Sequence, residues 1–252
     1  MSGHNKWSSI KHKKAAADAK RGKQFSRLAK ELTLAARSGG GDPEMNPVLR
    51  SAIDAAKAVN MPNDNIDRAI KKGTGELETG ALEELNYEGY APGGVAVLVN
   101  CLTDNRNRTA ANVRAIFTKQ NSSLAGSGAV AWLFNRKAQF LIAGADEDAV
   151  LEALLEAEID PDEVTAGEDG AVEVLAAPEA FGGIVDCLKA AGLTVEESGL
   201  TMIPENTVEI ADVGTARQVL RLIDALEEEE DVQEVTANFE FTDDVATTLA
   251  GE

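Results

Sequence analysis

The stretch NYEGYAPGGVAVLVNCLTDNRNRTAANVRAIFTK, residues 86–119, decides the fold, because the spacing of its apolar residues changes from that of a strand to that of a helix. Its first half is strand-like, and the triplet at 92–94 is a turn into a strand. Its second half is helical, with Asp104 or Asn105 as a suitable N-cap. The stretch therefore predicts mixed α and β structure.

The alternation continues to the end of the chain. GAVAWLF is predicted as a strand, followed by KAQFLIAG (strand), DEDAVLEALLEAEID (helix), AVEVLA (strand), EAFGGIVDCLKAAG (helix) and a strand near EESGLTMIP. A last unit has the strand TVEIA, the helix TARQVLRLIDALEEEE and the strand VQEVTANFEF. This pattern predicts two small α/β sandwiches of the ferredoxin-like kind. Residues 136–205 would form an inserted acidic α+β domain, and residues 80–135 and 206–252 a discontinuous one.

Residues 1–75 are predicted to form a basic, all-helical domain. One helix ends at Gly39, a second begins at Asn46 with Pro47 in its first turn, and a third follows MPNDN and closes at Gly73. Three short helices of this kind can bury one small core between them. The expected fold class of the whole chain is therefore α+β multidomain, with this helical domain followed by the two sandwiches, the second inserted in the first.

Charge is divided unevenly along the chain, whose net charge is -19. Residues 1–72 hold 15 Lys plus Arg and 7 Asp plus Glu, whereas residues 73–252 hold 9 and 36. This asymmetry indicates a module that faces nucleic acid, attached to a body that does not bind polyanions; the alternative is a solvated basic helix. Residues 136–205 carry 3 basic and 17 acidic side chains. The excess of acidic side chains is expected to keep the protein soluble, to repel nucleic acid or to contact a basic protein partner.

The composition disfavours several classes of protein. No run approaches the roughly 18 apolar residues of a membrane span, and the basic start lacks the apolar segment of a secretory signal. A cytoplasmic protein is expected, with an organelle transit peptide as the alternative. Cys101 and Cys187 are predicted to be buried thiols. The two histidines are too few for a zinc site. The stretch YEGYAPGGVAV lacks the features of a phosphate-binding loop. We expect no catalytic residue, metal, cofactor or enzymatic activity.

The first candidate contact with nucleic acid is the basic arm, which runs from Lys6 to Lys30. Lys and Arg neutralise phosphates and release counterions, which supplies affinity that is independent of sequence. Trp7 within the arm either stacks on an unpaired base or packs against the helical domain. The residues expected to bind are Lys6, Trp7, Lys11, His12, Lys13, Lys14, Lys20, Arg21, Lys23 and Arg27.

The second candidate contact is an arginine cluster in TDNRNRTAANVR, where Arg106, Arg108 and Arg114 crowd the first turns of a predicted helix. The helix dipole disfavours cations at this end, so their presence needs another reason. One reason is a phosphate, bound jointly by the arginines and the exposed amides. The other is pairing with neighbouring acids such as Glu83 or Glu84.

Four longer stretches carry a resemblance to a known family. They are GHNKWSSIKHKKAAADAKRGKQFSRLAKEL, NMPNDNIDRAIKKGTG, YEGYAPGGVAVLVNCLTDNRNRTAANVRAIFTK and GAVAWLF. They resemble the YebC family of bacterial regulatory proteins, whose relatives include the mitochondrial translational activator of cytochrome oxidase, and the similarity in pattern covers essentially the whole chain. The segment QNSSLAGSG, residues 120–128, departs from the family pattern, in which a glycine pair is expected.

The resemblance implies a helical domain, two α/β domains and a role with nucleic acid. The family is similar to DNA-binding transcriptional regulators under its usual description, so DNA is the expected partner. Several members act in translation instead, binding the ribosome and easing the synthesis of proline-rich stretches, and ribosomal RNA and ribosomal proteins are then the partners. No membrane partner is expected, and the oligomeric state is left open with a monomer favoured. A third possibility is a protein–protein scaffold without nucleic acid.

Overall fold

The computed structural model describes residues 20–77, 83–167 and 170–250. Its helices are α1 (Lys20–Gly39), α2 (Pro47–Ala58), α3 (Asn63–Gly73), α4 (Arg106–Lys119), α5 (Glu147–Glu156), α6 (Phe181–Ala190), α7 (Val213–Glu227) and α8 (Asp243–Ala250). Its strands are β1 (Glu83–Ala91), β2 (Val95–Thr103), β3 (Ser123–Leu124), β4 (Phe134–Ala143), β5 (Glu163–Ala166), β6 (Ala171–Ala176), β7 (Thr194–Pro204), β8 (Val208–Ile210), β9 (Val232–Ala237) and β10 (Phe239–Phe241). Helices come first and mixed α/β structure follows, which confirms the predicted fold class.

Helices α1, α2 and α3 surround one small apolar core. Helix α2 starts where the sequence predicts, and Asn46 caps it, because its Oδ1 accepts the Leu49 N–H at 3.1 Å. Its Nδ2 donates to the carbonyl oxygens of Ala35 and Gly40, both at 2.9 Å, so this side chain also joins the end of α1 to the start of α2. The buried residues of the core include Leu32, Leu49, Ala52, Ala56, Met61 and Ile66.

A four-stranded sheet with the spatial order β5-β6-β4-β7 belongs to the segment that runs from β4 to β7. Along the chain its elements follow the order βαββαβ, which is the ferredoxin-like arrangement that the sequence predicts. Alternate residues of β4 and β6 face α5 and α6, and the rings of Phe140 and Phe181 lie 5.0 Å apart between sheet and helix. The buried residues include Ala138, Phe140, Ile142, Val150, Leu154, Val172, Val174, Ile184 and Leu188.

The other four-stranded sheet has the order β3-β1-β2-β9, and β8 and β10 form a separate parallel pair. Strands β1 and β2 form an antiparallel hairpin in which Tyr87 lies opposite Val99. The turn predicted at 92–94 is confirmed, because Gly93 and Gly94 have φ values of 82° and 78°, a conformation that favours glycine. Helices α4 and α7 pack on this hairpin through Val97, Val113, Phe117, Val219, Leu222 and Leu226.

The strand predicted over GAVAWLF is wrong for most of its length. Residues 127–130 form turns and bends, Ala131–Leu133 is a single 3₁₀ turn, and β4 begins only at Phe134. The apolar pattern is real, since Val130 and Phe134 are buried. The backbone N–H groups of Gly128, Val130 and Ala131 are bonded to a carboxylate instead of a neighbouring strand.

Two cysteines are present and neither forms a disulfide. Cys101 is buried as predicted, whereas Cys187 is only partly buried and its S–H donates to the Ala153 carbonyl at 3.2 Å. Burial raises the pKa of the Cys187 thiol, which keeps it protonated and poorly nucleophilic. In the part of the chain that the structure describes, no helix combines the length and the apolar character needed to cross a membrane.

The chain divides into two compact units. Over the described residues, one unit comprises 83–135 and 203–250, and the other comprises 20–77, 136–167 and 170–202. Within the second unit, α2 packs on α6, and the Arg50 guanidinium lies 3.0 Å from the Asp186 carboxylate. The three-domain division at residues 75, 80, 136 and 205 stays a prediction.

Candidate nucleic-acid interface

The basic arm lies mostly before the first described residue. Lys6, Trp7, Lys11, His12, Lys13 and Lys14 fall outside the described residues. Lys20, Arg21 and Lys23 belong to the first turns of α1, which contain no acidic residue. Arg27 is exposed further along the same helix. The arm therefore continues into α1, and its contact with nucleic acid stays a prediction.

The N-terminus of α4 carries the second candidate site. Of the two caps that the sequence allows, the structure selects Asn105, whose Oδ1 accepts the Arg108 N–H at 3.1 Å. The Asn105 N–H in turn donates to Thr103 Oγ1 at 2.9 Å. These bonds fix the first turn of α4 at the end of β2, so the positions of the three arginines follow from a well-anchored helix start.

Arg108 forms ion pairs within the protein. Its Nη2 lies 2.9 Å from Asp231 Oδ2 and 3.1 Å from Asp104 Oδ1. The hydrogen bond to Asp231, followed by the attraction of that carboxylate, raises the pKa of the guanidinium above its usual value. The predicted acidic partners, Glu83 and Glu84, are therefore wrong for Arg108. Glu83 lies opposite Thr103 near the start of α4, but the ion pairs of Arg108 are formed with Asp104 and with Asp231 in the turn between α7 and β9.

Asp231 is a buried carboxylate that joins three parts of its unit. Only 5% of its side chain is exposed. Besides the Arg108 guanidinium, its Oδ2 accepts the Thr109 hydroxyl at 2.8 Å, and its backbone carbonyl accepts the Leu102 N–H at 2.8 Å. The residue thus ties the end of β2 and the start of α4 to the turn that precedes β9.

Replacing Asp231 is expected to destabilise the protein. Asp231→Ala removes a buried acceptor and leaves the Thr109 hydroxyl without it, and we expect the free energy of unfolding to fall by about 2–4 kcal/mol. Urea unfolding followed by circular dichroism measures this loss. Asp104→Ala is the matched control and should cost less, because Asp104 pairs with the same guanidinium but 61% of its side chain is exposed to water. Equal losses for the two variants would contradict this assignment.

Arg106 and Arg114 differ from Arg108, because their guanidinium groups are not used within the described part of the protein. Both side chains are exposed, and neither forms an ion pair or hydrogen bond with another described residue. Burial raises the pKa of the Tyr87 hydroxyl, and the positive charges of Arg106 and Arg114 both act in the opposite direction. The two guanidinium groups thus act electrostatically on the same hydroxyl. We call them the arginine pair.

Two exposed aromatic residues form a further surface feature of the same unit. Trp132 is 69% exposed and Tyr90 is 40% exposed. The Trp132 Nε1–H and the Tyr90 hydroxyl both donate to the carbonyl oxygen of Ala129, at 3.1 and 3.3 Å. The sequence gives little sign of this arrangement, because GAVAWLF has the composition of a buried strand.

A buried carboxylate holds the segment that carries Trp132. Glu88 in β1 accepts the backbone N–H groups of Gly128 and Val130 at 2.6 Å and of Ala131 at 2.8 Å. Burial opposes the charge of Glu88, but the backbone N–H donors outweigh it and lower the pKa of the carboxyl below its usual value. Glu88 is therefore an ionised group that orders the loop after β3.

The candidate site contains exposed guanidinium groups and aromatic rings, and the described residues include no metal centre. No group of three or more His, Cys, Asp or Glu side chains within 20–77, 83–167 and 170–250 is arranged to hold a metal ion. Exposed arginines and aromatic rings are the groups that contact phosphates and stack on bases in nucleic-acid-binding proteins. The fold and site define a class of protein in which N-terminal helices precede mixed α/β sheets, with cationic and aromatic groups on the surface.

Two family models match the chain. The model described as the TACO1/YebC protein N-terminal domain matches residues 5–76, and that described as the TACO1/YebC second and third domain matches residues 82–239. The chain therefore belongs to the TACO1/YebC family, which confirms the resemblance seen in the sequence.

Known proteins similar to the chain extend over almost its full length. A probable transcriptional regulatory protein of Geobacter sulfurreducens is 53% identical over 96% of this chain and 97% of the relative. One of Photorhabdus laumondii is 51% identical over 99% of this chain and 100% of the relative. The crystal structure of a conserved hypothetical protein from Aquifex aeolicus superposes with a TM-score of 0.83 at 47% identity, covering 93% of this chain and 96% of that one.

Proposed function

We propose that the protein is a non-enzymatic, nucleic-acid-binding regulatory protein that acts on DNA as a transcriptional regulator through its basic arm. The observation that carries the proposal is the separation of charge, since residues 1–72 hold 15 Lys plus Arg against 7 Asp plus Glu in a chain of net charge -19. An acidic body repels a polyanion, so binding is directed to the basic end. The printed names of the relatives, probable transcriptional regulatory proteins, support the same role.

The arginine pair supports a second contact on the same nucleic acid. Arg106 and Arg114 are exposed, and no described carboxylate neutralises them. An unneutralised guanidinium binds a phosphate through two parallel hydrogen bonds. The residues of the arm and the arginine pair together make up the proposed interface, and the cytoplasm, where bacterial DNA and ribosomes are found, is its proposed location.

The second candidate is a ribosome-binding translation factor. The surface of α3 favours this candidate, because it is poorly suited to contact duplex DNA. In a helix-turn-helix protein, the N-terminal residues of the second helix contact base edges in the major groove. Helix α3 has only 11 residues, and its N-terminal half exposes Asp64 and Asp67, which disfavour an approach to duplex phosphates. In this second candidate the arm binds ribosomal RNA, and the acidic residues 136–205 meet basic ribosomal proteins. Its role would be to assist synthesis of difficult, proline-rich sequences.

Crosslinking in cells, followed by sequencing of the bound nucleic acid, tests both candidates in one measurement. Enrichment of promoter DNA supports the transcriptional regulator, and enrichment of ribosomal RNA supports the translation factor. Recovery of neither nucleic acid above the background of an uncrosslinked sample would overturn both and favour a protein–protein scaffold.

The arginine pair should contribute measurably to affinity. We expect Arg106→Ala with Arg114→Ala to weaken binding to duplex DNA about tenfold and to reduce the slope of log affinity against log salt by roughly 1.8, since each phosphate that is no longer neutralised changes it by about 0.9. Fluorescence anisotropy at several salt concentrations measures both quantities. Arg217→Ala with Arg221→Ala removes the same charge from α7 and is the matched control. A control variant that is weakened as much as the test variant would show a general charge effect.

A further inference from the structure

Trp132 and Tyr90 are exposed in a way that folding alone does not explain. Trp132 is 69% exposed and Tyr90 is 40% exposed. Side chains of this size contribute most to stability when buried, and exposed aromatic residues are enriched at sites of recognition. The chain has 2 Trp and 2 Tyr, so half of these residues lie in this one surface patch.

The two rings are held in place before any partner arrives. Both polar tips donate to the carbonyl oxygen of Ala129. The segment around Ala129 is itself fixed, because the Glu88 carboxylate accepts the N–H groups of Gly128, Val130 and Ala131. A surface ordered in this way loses little conformational entropy when it binds.

The chain segment that carries Trp132 is itself uncharged. Residues 120–134 contain no Lys, Arg, Asp or Glu, although the chain as a whole has a net charge of -19. Gly126 and Gly128 have open space where a side chain would project. This segment therefore adds no carboxylate that would repel a polyanion, and the neighbouring Glu205, whose backbone N–H donates to the Leu133 carbonyl, has its carboxylate bonded to the Asn135 amide at 2.8 Å.

We propose that Trp132 and Tyr90 form a stacking surface for an unpaired base of single-stranded nucleic acid. This inference rests on the nucleic-acid binding of the proposed function and adds the base-contacting residues to it. Every base has a π-face, so stacking on aromatic rings needs no particular sequence. In an intact duplex the bases are stacked on one another, so these rings select unpaired nucleotides.

An extended peptide fits this surface less well than a base. A peptide presents carbonyl oxygens, which require donors from the groove that binds it. The Trp132 Nε1–H and the Tyr90 hydroxyl are such donors, but both are already bonded to Ala129. The exposed ring faces remain available, and a ring face is what a base requires.

Tryptophan fluorescence provides a direct test on the full-length chain. A Trp7→Phe background leaves Trp132 as the only tryptophan, since the chain has 2. The probes are an oligouridylate of about ten nucleotides, an abasic strand of equal length, a DNA duplex and a proline-rich peptide. We expect the oligouridylate to quench Trp132 fluorescence, and the abasic strand, which has the phosphates but no bases, to leave it unchanged.

Affinity measurements complete the test. Trp132→Ala should weaken oligouridylate binding by about 5- to 150-fold, whereas Trp132→Phe and Tyr90→Phe, which retain a ring, should weaken it far less. Because Trp132 is exposed, its loss leaves no cavity, and circular dichroism verifies the fold of each variant.

Each alternative outcome overturns the inference in a distinguishable way. If Trp132→Ala binds oligouridylate as tightly as the parent protein does, stacking is excluded, while phosphate binding and the proposed function are left intact. Quenching by the proline-rich peptide alone would assign the surface to a peptide. Failure of the parent protein to bind any strand or duplex would overturn the proposed function together with this inference.

Discussion

Replacing Glu88 by Gln is expected to lower the free energy of unfolding by about 3–5 kcal/mol, the largest loss of stability expected from a single isosteric change in this chain. The carboxylate accepts three backbone N–H groups at 2.6–2.8 Å, and it is 4% exposed. A glutamine amide has one acceptor oxygen, and its NH₂ group would point its hydrogens at an N–H donor. At least one buried N–H would therefore lose its partner.

The effect of Glu88 should depend on pH with a definite sign. Burial would raise the pKa of the carboxyl, but the N–H donors lower it below its ordinary value of 4.5, so the native state holds the ionised form more strongly than the unfolded chain does. The stabilisation is complete above the unfolded pKa and is lost as the pH falls through the native pKa. The difference between the parent protein and Glu88→Gln should thus be greatest near neutral pH and shrink in acid.

Urea unfolding at a series of pH values measures this prediction. Glu84→Gln is the matched control, because Glu84 lies on the same face of β1 but is exposed and bonds only to Asn100 at 3.2 Å. We expect it to change stability by less than about 1 kcal/mol at any pH. A loss for Glu88→Gln that stays constant from neutral to acidic pH would show that the ionised carboxylate is not the cause.

Local signals in the sequence predicted the fold well, because they act over a few residues. Asn46 and Asn105 cap helices through bonds to residues three positions on, and the turn at 92–94 depends on its own glycines. The alternation of strands and helices in residues 134–204 likewise predicted the ferredoxin-like order, since few arrangements bury those apolar faces.

The interface was harder to predict, because its contacts join distant positions. Arg108 and Asp231 are 123 residues apart, and nothing local distinguishes Asp231 from the preceding acids at 227–230. The segment at 128–134 has the apolar pattern of a strand, but the N–H groups of Gly128, Val130 and Ala131 bond to Glu88. Glu88 and Gly128 are 40 positions apart in the sequence. A pattern of apolar residues reports burial, and it does not report where the backbone hydrogen bonds go.

Reversing the charge of the basic arm is expected to have the largest effect on binding. The variant changes five cations to Glu, at Lys11, Lys13, Lys14, Lys20 and Arg21. Each phosphate that is left unneutralised reduces counterion release, and each new carboxylate repels the strand, so we expect the affinity for duplex DNA to fall by at least about 1,000-fold at moderate salt. The salt dependence of the remaining binding should flatten by roughly 0.9 for each phosphate that the variant no longer neutralises.

The control for this variant keeps the charge and changes the side chains. Replacing Lys11, Lys13, Lys14 and Lys20 with Arg should leave the affinity and its salt slope nearly unchanged, because phosphate neutralisation depends on charge. If duplex affinity survives the reversal to Glu, the arm is not the DNA contact.

Sedimentation with ribosomes distinguishes the second candidate. If the protein is a ribosome-binding factor, the parent protein should travel with ribosomes in a salt-sensitive way, and the reversed variant should stay at the top of the gradient. The same charges would serve either target, so only the identity of the nucleic acid that they retain can separate the two functions.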